Sequence, residues 1–319
     1  MVVKVVTRSA CLDIYKKWSV DKMKLIRFGL VAVFVTLLLA SGFGTCAEYK
    51  ISKMEDSSVS SVAEWSVDGR PDGIAVGPDG GVYVGFNSEE SSRITKYTPE
   101  GVMQTEWNVP GVIETNGIVV GPEGDVFISI VASASRAFGD RGLATPGSII
   151  QVGRYSSNGE FLSEFSVDGV IETNGIVVNP ASEIYLGANG DTVIKFGPEG
   201  NVLTSWSIEG TMSGIATDSA GNILVSFSDS PRVEKFSPEG DILEEFTVDG
   251  VIETNGIVVG PEDIILISDL GYKVFELNAE GGYLADWSVD GAISGMAVSP
   301  DGLLYIANSA GNFVLVYEI

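Results

Sequence analysis

Histidine is absent from this 319-residue chain, and cysteine occurs only twice. The first absence removes the commonest general base and the commonest metal ligand. Zinc, copper, haem and non-haem iron sites built on imidazole are therefore excluded. Cys11 and Cys46 both lie near the N-terminus, which leaves the rest of the chain without a disulfide or a thiolate-bound metal. A metal there has to be held by oxygen, which means calcium or magnesium. Catalysis would have to run on Asp, Glu, Tyr, Lys, Ser or Thr. Positive charge is also scarce, with 19 Lys+Arg against 43 Asp+Glu and a formal net charge of −24. The first 47 residues hold seven of those bases and two of the acids, so the remainder carries 12 bases against 41 acids. Like charge repels phosphate, and nucleic acid is excluded as a partner. Acidity of this degree serves solubility or a cationic partner.

A long apolar run occurs near the N-terminus. Lys24 and Arg27 precede Phe28–Phe43, and GTCAEYK follows. A basic flank, a short apolar stretch and small residues describe an export signal. The run is shorter than the ~20 residues a spanning helix needs, which favours cleavage near Cys46–Ala47 over permanent anchoring. Lipidation at Cys46 and a retained anchor are the alternatives. Residues 23–47 are thus read as the signal, 1–22 as a non-native extension ahead of Met23, and 48–58 as a linker. The protein is expected to be exported, either secreted or held at the cell surface or envelope. Membrane contact is expected only through this segment.

What the chain has in abundance is repetition. VDGVIETNGIVV occurs unchanged at Val167–Val178 and Val248–Val259, and VPGVIETNGIVV runs from Val109 to Val120. An aromatic precedes each copy, and its equivalents are Trp65, Trp107, Phe165, Trp206, Phe246 and Trp287. Their spacing is near forty residues except for the longer step from Trp107 to Phe165. A period near forty with four short apolar runs per unit marks propeller blades. In the first unit the spacing predicts strands at Gly73–Val76, Gly81–Phe86, Arg93–Tyr97 and Val102–Val109. The turns Gly77-Pro78-Asp79-Gly80 and Thr98-Pro99-Glu100-Gly101 join them with suitable turn chemistry. An isolated fourth-type strand at Ser60–Val67 opens the series, and a third-type strand at Phe313–Glu318 ends it. The first completes the last, which predicts an all-β, six-bladed β-propeller over residues 59–319, closed by its own N-terminal strand. The outer-strand aromatics are expected to pack between blades.

The pattern G-I-(A/V)-V-x-P-(D/E)-G-x-(V/I)-Y-(V/I), followed by (I/V)-x-K-(Y/F)-x-P-E-G, resembles the NHL-repeat propellers. It is also similar to the six-bladed gluconolactonase and strictosidine-synthase-like group, over about Val62 to Ile319. The fold follows from this resemblance more firmly than any activity, because such propellers serve as enzymes, scaffolds and binding modules.

In three units the aromatic stands ten residues before the glycine that starts the next inner strand, and in three it stands eight before. The two additional residues create Glu114-Thr115-Asn116, Glu172-Thr173-Asn174 and Glu253-Thr254-Asn255. The residue before each of these six glycines should ring one mouth of the channel: Asp72, Asn116, Asn174, Ser213, Asn255 and Ser294. An all-oxygen ring suits a hard cation, and it equally suits turns that satisfy their own backbone. Resemblance to the gluconolactonase-like group implies a divalent cation, calcium or magnesium, on Asn116, Asn174 and Asn255, and more loosely on Asp72. The first blade departs from that pattern, with Arg70-Pro71-Asp72 where the group carries a glutamate. The insertion Ser133–Ser148 should overhang the same mouth and brings Arg136, Phe138 and Arg141. Second-strand ends add Asn87, Asn189, Asp229, Asp269 and Asn308 as ligand-facing polar residues.

A monomeric binding module for a protein, glycan or small polar ligand is the first reading, because no complete catalytic set is visible. The alternative is a cation-dependent lactonase in which the metal polarises a carbonyl and Asp72, Glu114, Glu172 or Glu253 activates water. A structural role in an envelope layer is the third.

Overall fold

Alternating apolar and polar residues between tight turns fold each repeat into four antiparallel strands. The computed structural model describes residues 59–88, 92–132, 149–251, 254–269 and 271–319. These belong to one compact unit, Asp56–Ile319. The expectations for residues 1–58, for Arg136, Phe138 and Arg141 in the insertion, for Glu253 and for the side chain of Asn255 lie outside what is described.

The opening strand is β1 (Ala63–Ser66). The first blade follows as β2 (Gly73–Val76), β3 (Val82–Phe86), β4 (Ser92–Tyr97) and β5 (Met103–Val109). The second is β6 (Val112–Val120), β7 (Val126–Ala132), β8 (Ile149–Tyr155) and β9 (Phe161–Val167). The third is β10 (Thr173–Val178), β11 (Ile184–Ala188), β12 (Thr192–Phe196) and β13 (Val202–Ser207). The fourth is β14 (Met212–Thr217), β15 (Ile223–Phe227), β16 (Arg232–Phe236) and β17 (Ile242–Thr247). The fifth is β18 (Thr254–Val259), β19 (Ile265–Asp269), β20 (Lys273–Leu277) and β21 (Tyr283–Ser288). The sixth has β22 (Ile293–Val298), β23 (Leu303–Asn308) and β24 (Phe313–Glu318). Its fourth strand is β1, which pairs with β24 so that Ala63 faces Val316 and Trp65 faces Val314. Inner strand β22 touches β2, and the ring of inner strands is continuous. The second strand begins at Val82 rather than Gly81, because the Gly81 N–H is taken by the Asp79 carboxylate at 3.0 Å.

The apolar core is divided among the gaps between blades. One buried cluster joins Val82, Val84 and Phe86 of the first blade to Tyr305, Val314 and Val316 of the sixth. Another joins Val131, Ile150 and Val152 of the second blade to Ile184, Leu186 and Phe196 of the third. Second strands such as β3 and β11 are buried throughout, while outer strands such as β13 mix exposed and half-buried positions.

The repeat aromatics occupy the same gaps. A Cβ built on Gly101, Gly159, Gly200, Gly240 or Gly281 would enter the ring of Trp65, Trp107, Phe165, Trp206 or Phe246 respectively. Each of these glycines has φ between +77° and +94°, the left-handed region, and closes the P-E-G-type turn of the following blade. Glycine is required twice over, by the dihedral and by the ring lying on it. The indole N–H groups of Trp65, Trp107, Trp206 and Trp287 are buried without a partner among the described residues. That explains why phenylalanine serves at positions 165 and 246: the gap needs a ring, not a donor.

Replacing Gly240 by Ala sets a methyl 2.6 Å from the Trp206 ring at φ +94°. Gly124 has a similar φ of +88° with nothing near its Cβ position. By chemical denaturation Gly124→Ala should cost about 1 kcal/mol, and Gly240→Ala clearly more, about 2–3 kcal/mol. Equal losses would show that the ring contact adds nothing.

Candidate functional site at the channel mouth

Antiparallel order places the loops from outer to inner strands, and those from second to third strands, on one face. Four inner strands carry an irregularity there. Pairing shifts register between Thr173 and Gly175, Met212 and Gly214, Thr254 and Gly256, and Ile293 and Gly295. The residues skipped are Asn174, Ser213, Asn255 and Ser294, so the expected ring consists largely of β-bulge residues, which leave the ladder and can be re-aimed. In β6 the break runs from Ile113 to Ile118 and contains Asn116. Asp72 lies just ahead of β2, its N–H donating to the Gly85 carbonyl at 2.9 Å.

The bulge side chains serve mainly as ties. Ser213 Oγ meets Ser226 Oγ at 2.9 Å and Thr254 Oγ1 of the next blade. Thr254 Oγ1 donates to the Phe227 carbonyl at 2.7 Å. Ser294 Oγ lies 2.8 Å from the Pro71 carbonyl and 3.1 Å from that of Ala307. Asn174 Oδ1 accepts the Gly190 N–H at 3.0 Å. Asn116 is different. It has a left-handed φ of 52°, and its Nδ2 lies 3.7 Å from the ideal Cβ position of Gly256 in the opposing blade. Its amide therefore reaches across the mouth.

The carboxylates do not gather. Glu114 is buried, and Glu172 accepts the Asn189 N–H through its backbone carbonyl at 3.1 Å. Among the described residues no three acidic groups come together as metal ligands. Asp72 is the acid of the expected ring. Its Oδ2 accepts the Asn87 N–H at 2.8 Å, and its Oδ1 is 4.0 Å from Arg70 Nε. Burial pushes its carboxyl above the ordinary value, partly offset by that N–H and by Arg70. The described donors fit a calcium or magnesium cage poorly, since Asn174 and both serines already serve neighbouring groups.

The second-strand ends lie on the same face and also bond to its loops. Asn87 Oδ1 accepts from the Ile113 N–H at 2.9 Å and from Ser92 Oγ at 2.6 Å, while its Nδ2 donates to the Ile113 carbonyl at 3.0 Å. Asn189 clamps its entry loop through the Ile171 N–H and the Gly169 carbonyl. Asp229 accepts the Thr211 N–H at 2.9 Å, and Asn308 donates to the Asp290 carbonyl at 2.6 Å. Asp269 is buried at the end of β19. These residues give the mouth a fixed shape.

A feature beyond the sequence reading is a pocket of about 210 Å³ on this face of the first blade, lined by Gly69, Arg70, Phe86, Asn87, Ser88, Arg93 and Asn108. The Arg93 guanidinium lies 4.4 Å from the Phe86 ring centroid and is held by Glu106 at 2.5 Å and by the Asp68 carbonyl. Arg70 is 73% exposed, with Asp72 4.0 Å away. Its signal was present in the repeat. The fifth residue after each aromatic is Arg70, Val112, Val170, Thr211, Val251 and Ala292, a single charge among small or apolar residues.

The elevated carboxyl of Asp72 carries a sign. Its contribution to stability is complete below the ordinary value of 3.8 and is lost as pH rises through the raised folded value. Asp72→Asn keeps an acceptor for the Asn87 N–H and removes the buried charge. The variant should resist denaturant better than the parent at pH 7, with the gap closing as pH falls below 4. A gap that widens on acidification would reverse the assignment.

No protein-family model matches the chain, and no curated protein matches it in sequence. Solved structures do. A protein assigned as a gluconolactonase aligns with a TM-score of 0.57 and 18% identity over 79% of this chain and 90% of its own. Virginiamycin B lyase from Staphylococcus aureus aligns with a TM-score of 0.56 and 14% identity, over 81% and 99%. Its catalytically inactive form with one histidine changed to alanine, solved with quinupristin, gives 0.55 and 17%, over 81% and 88%. At these identities the likeness is one of fold: the chain is a six-bladed β-propeller with the architecture seen in gluconolactonase-like proteins and streptogramin lyases.

Proposed function

We propose that the protein is a binding module that takes its ligand on the channel-mouth face. The observation that carries this reading is the pocket of the first blade, which opens beside an exposed guanidinium on a face where side-chain ties hold the described parts of the loops. A prearranged surface loses little conformational freedom on binding. The opposite face is built from hairpin turns such as Gly77-Pro78-Asp79-Gly80 and Thr98-Pro99-Glu100-Gly101. A lyase mechanism is disfavoured, since the inactive S. aureus enzyme lacks one histidine and this chain contains none.

A second reading is a divalent-cation-dependent hydrolase of lactonase type. It is favoured by the raised carboxyl of Asp72, a property suited to a general base at the mouth. It requires donors beyond those described, from Glu253 and Asn255.

A panel of glycans, peptides and small polar compounds, screened by thermal shift, tests the first reading. For any compound that binds, Asn108→Trp, which fills the recess on the mouth face, should weaken affinity about tenfold or more, and Glu199→Trp on the opposite face should change it less than about twofold. The reverse pattern would move the site to the other face. Lactone hydrolysis that depends on added calcium, magnesium or manganese and is abolished by Asn255→Ala would replace binding with catalysis.

A further inference from the structure

Basic side chains are few here, and their employment identifies one that is not committed to the fold. The described residues contain eight: Arg70, Arg93, Lys96, Arg154, Lys195, Arg232, Lys235 and Lys273. Seven of them form ion pairs of 2.9 Å or closer. In four consecutive blades the cation of the third strand meets the acid of the first hairpin turn, as Lys96–Asp79, Arg154–Asp125, Lys195–Glu183 and Lys235–Asp218. Arg93, Arg232 and Lys273 pair with Glu106, Glu234 and Asp286. Arg70 alone of the eight has no acid nearer than 4.0 Å among the described residues, and it is 73% exposed.

We infer that the pocket of the first blade is a carboxylate site, with Arg70 as its recognition residue. The proposal rests on the mouth-face reading and adds the ligand chemistry. A guanidinium presents a planar fork that matches a carboxylate with two parallel hydrogen bonds. The local wall is prearranged: Arg93 lies against Phe86 and is fixed by Glu106 and Asp68. Its planar group, its charge answered by Glu106, therefore stays in place as a fixed wall and leaves Arg70 as the charge that meets a ligand. Asn108 and Ser88 line the same recess and supply amide and hydroxyl chemistry for polar groups next to the carboxylate.

Charge selects among anions. The body beyond residue 47 holds 12 bases against 41 acids, and Asp72 and Glu106 border the pocket. A dianionic phosphate meets about twice the repulsion of a monoanion in that field. Size selects as well. At about 210 Å³ the recess is smaller than the roughly 300–1,000 Å³ of drug-sized ligand sites, which suits a small polar unit. The ligand is a monocarboxylate flanked by hydroxyl or amide groups, from a uronic acid unit of a glycan or from an acidic side chain of a peptide.

Calorimetric titration of the full chain tests this with two matched pairs. Glucuronate is compared with glucose, and N-acetylglutamate methylamide with its glutamine counterpart. At least one carboxylate should bind at about 20 mM or below and at least tenfold better than its neutral partner; which one does so identifies the source. Arg70 is exposed and lacks a close ion pair, so Arg70→Ala should unfold at the temperature of the parent while losing about tenfold or more in affinity. Arg70→Lys should recover only part of it, because an ammonium lacks the fork. The inference is overturned if neither carboxylate outbinds its neutral partner, if inorganic phosphate binds more tightly than both, or if Arg70→Ala binds as the parent does. A ligand from the wider panel that needs Asn108 but is indifferent to Arg70→Ala would remove the carboxylate site and leave the mouth-face reading intact.

Discussion

An aromatic ring laid over the left-handed glycine of the next blade is the contact on which this architecture depends. It recurs at five blade junctions, from Trp65 on Gly101 to Phe246 on Gly281. A β-sheet with one apolar face has to bury it against another sheet, and a propeller does so six times between neighbours. The ring-on-glycine contact sets how far the outer parts of adjacent sheets stand apart. Close approach of inner strands, such as Gly214 against Gly256, sets it near the axis. With both distances fixed, the strand ends at the mouth take defined positions, and side-chain ties such as Asn189 to Ile171 and Gly169 hold the described loop residues beside them.

The strand pattern was legible because burial and turn chemistry write directly into residue type. Phe313–Glu318 and Gly73–Val76 were read with the bounds they have, and the alternation around Trp65 identified a strand seeking a partner. The bulges were not legible. A skipped residue such as Asn174 looks the same in sequence whether it sits in the ladder or out of it, and only the pairing of Thr173 with Ala188 and Gly175 with Gly187 reveals it. The polar residues of the mouth pose a related difficulty. An asparagine that holds a cation and one that holds a loop are the same letter, and Asn87, Asn189 and Asn308 proved to hold loops. Arg70 was visible as a departure from its repeat. Its meaning needed the ion pairs of the seven other cations, which depend on contacts between strands.

The acidity of the chain acquires a structural side in the same way. Four acids sit in first-hairpin turns where a cation of the third strand reaches them. Glu183 shows the balance: burial works against its charge, but Lys195, Asn179 and Tyr185 outweigh that and hold its carboxyl below the usual range. Asp79, Asp218 and Asp286 are lowered by the same competition, with lysine the main counterweight to burial. Most of the scarce cations are thus spent on architecture, and an exposed one gains meaning from that scarcity.

The sixth blade has a consequence for how the molecule comes into being. Ala63 finds its partner in Val316, about 250 residues later in the chain, while residues of the other outer strands find theirs between 6 and 17 residues away. The entropic cost of joining such distant segments grows only as the logarithm of their separation, so the joint is thermodynamically affordable. Its timing is another matter. During synthesis five blades can assemble as they emerge, but β1 stays unmated until β24 has been made. Until then the molecule is an open arc with a vacant edge at each end.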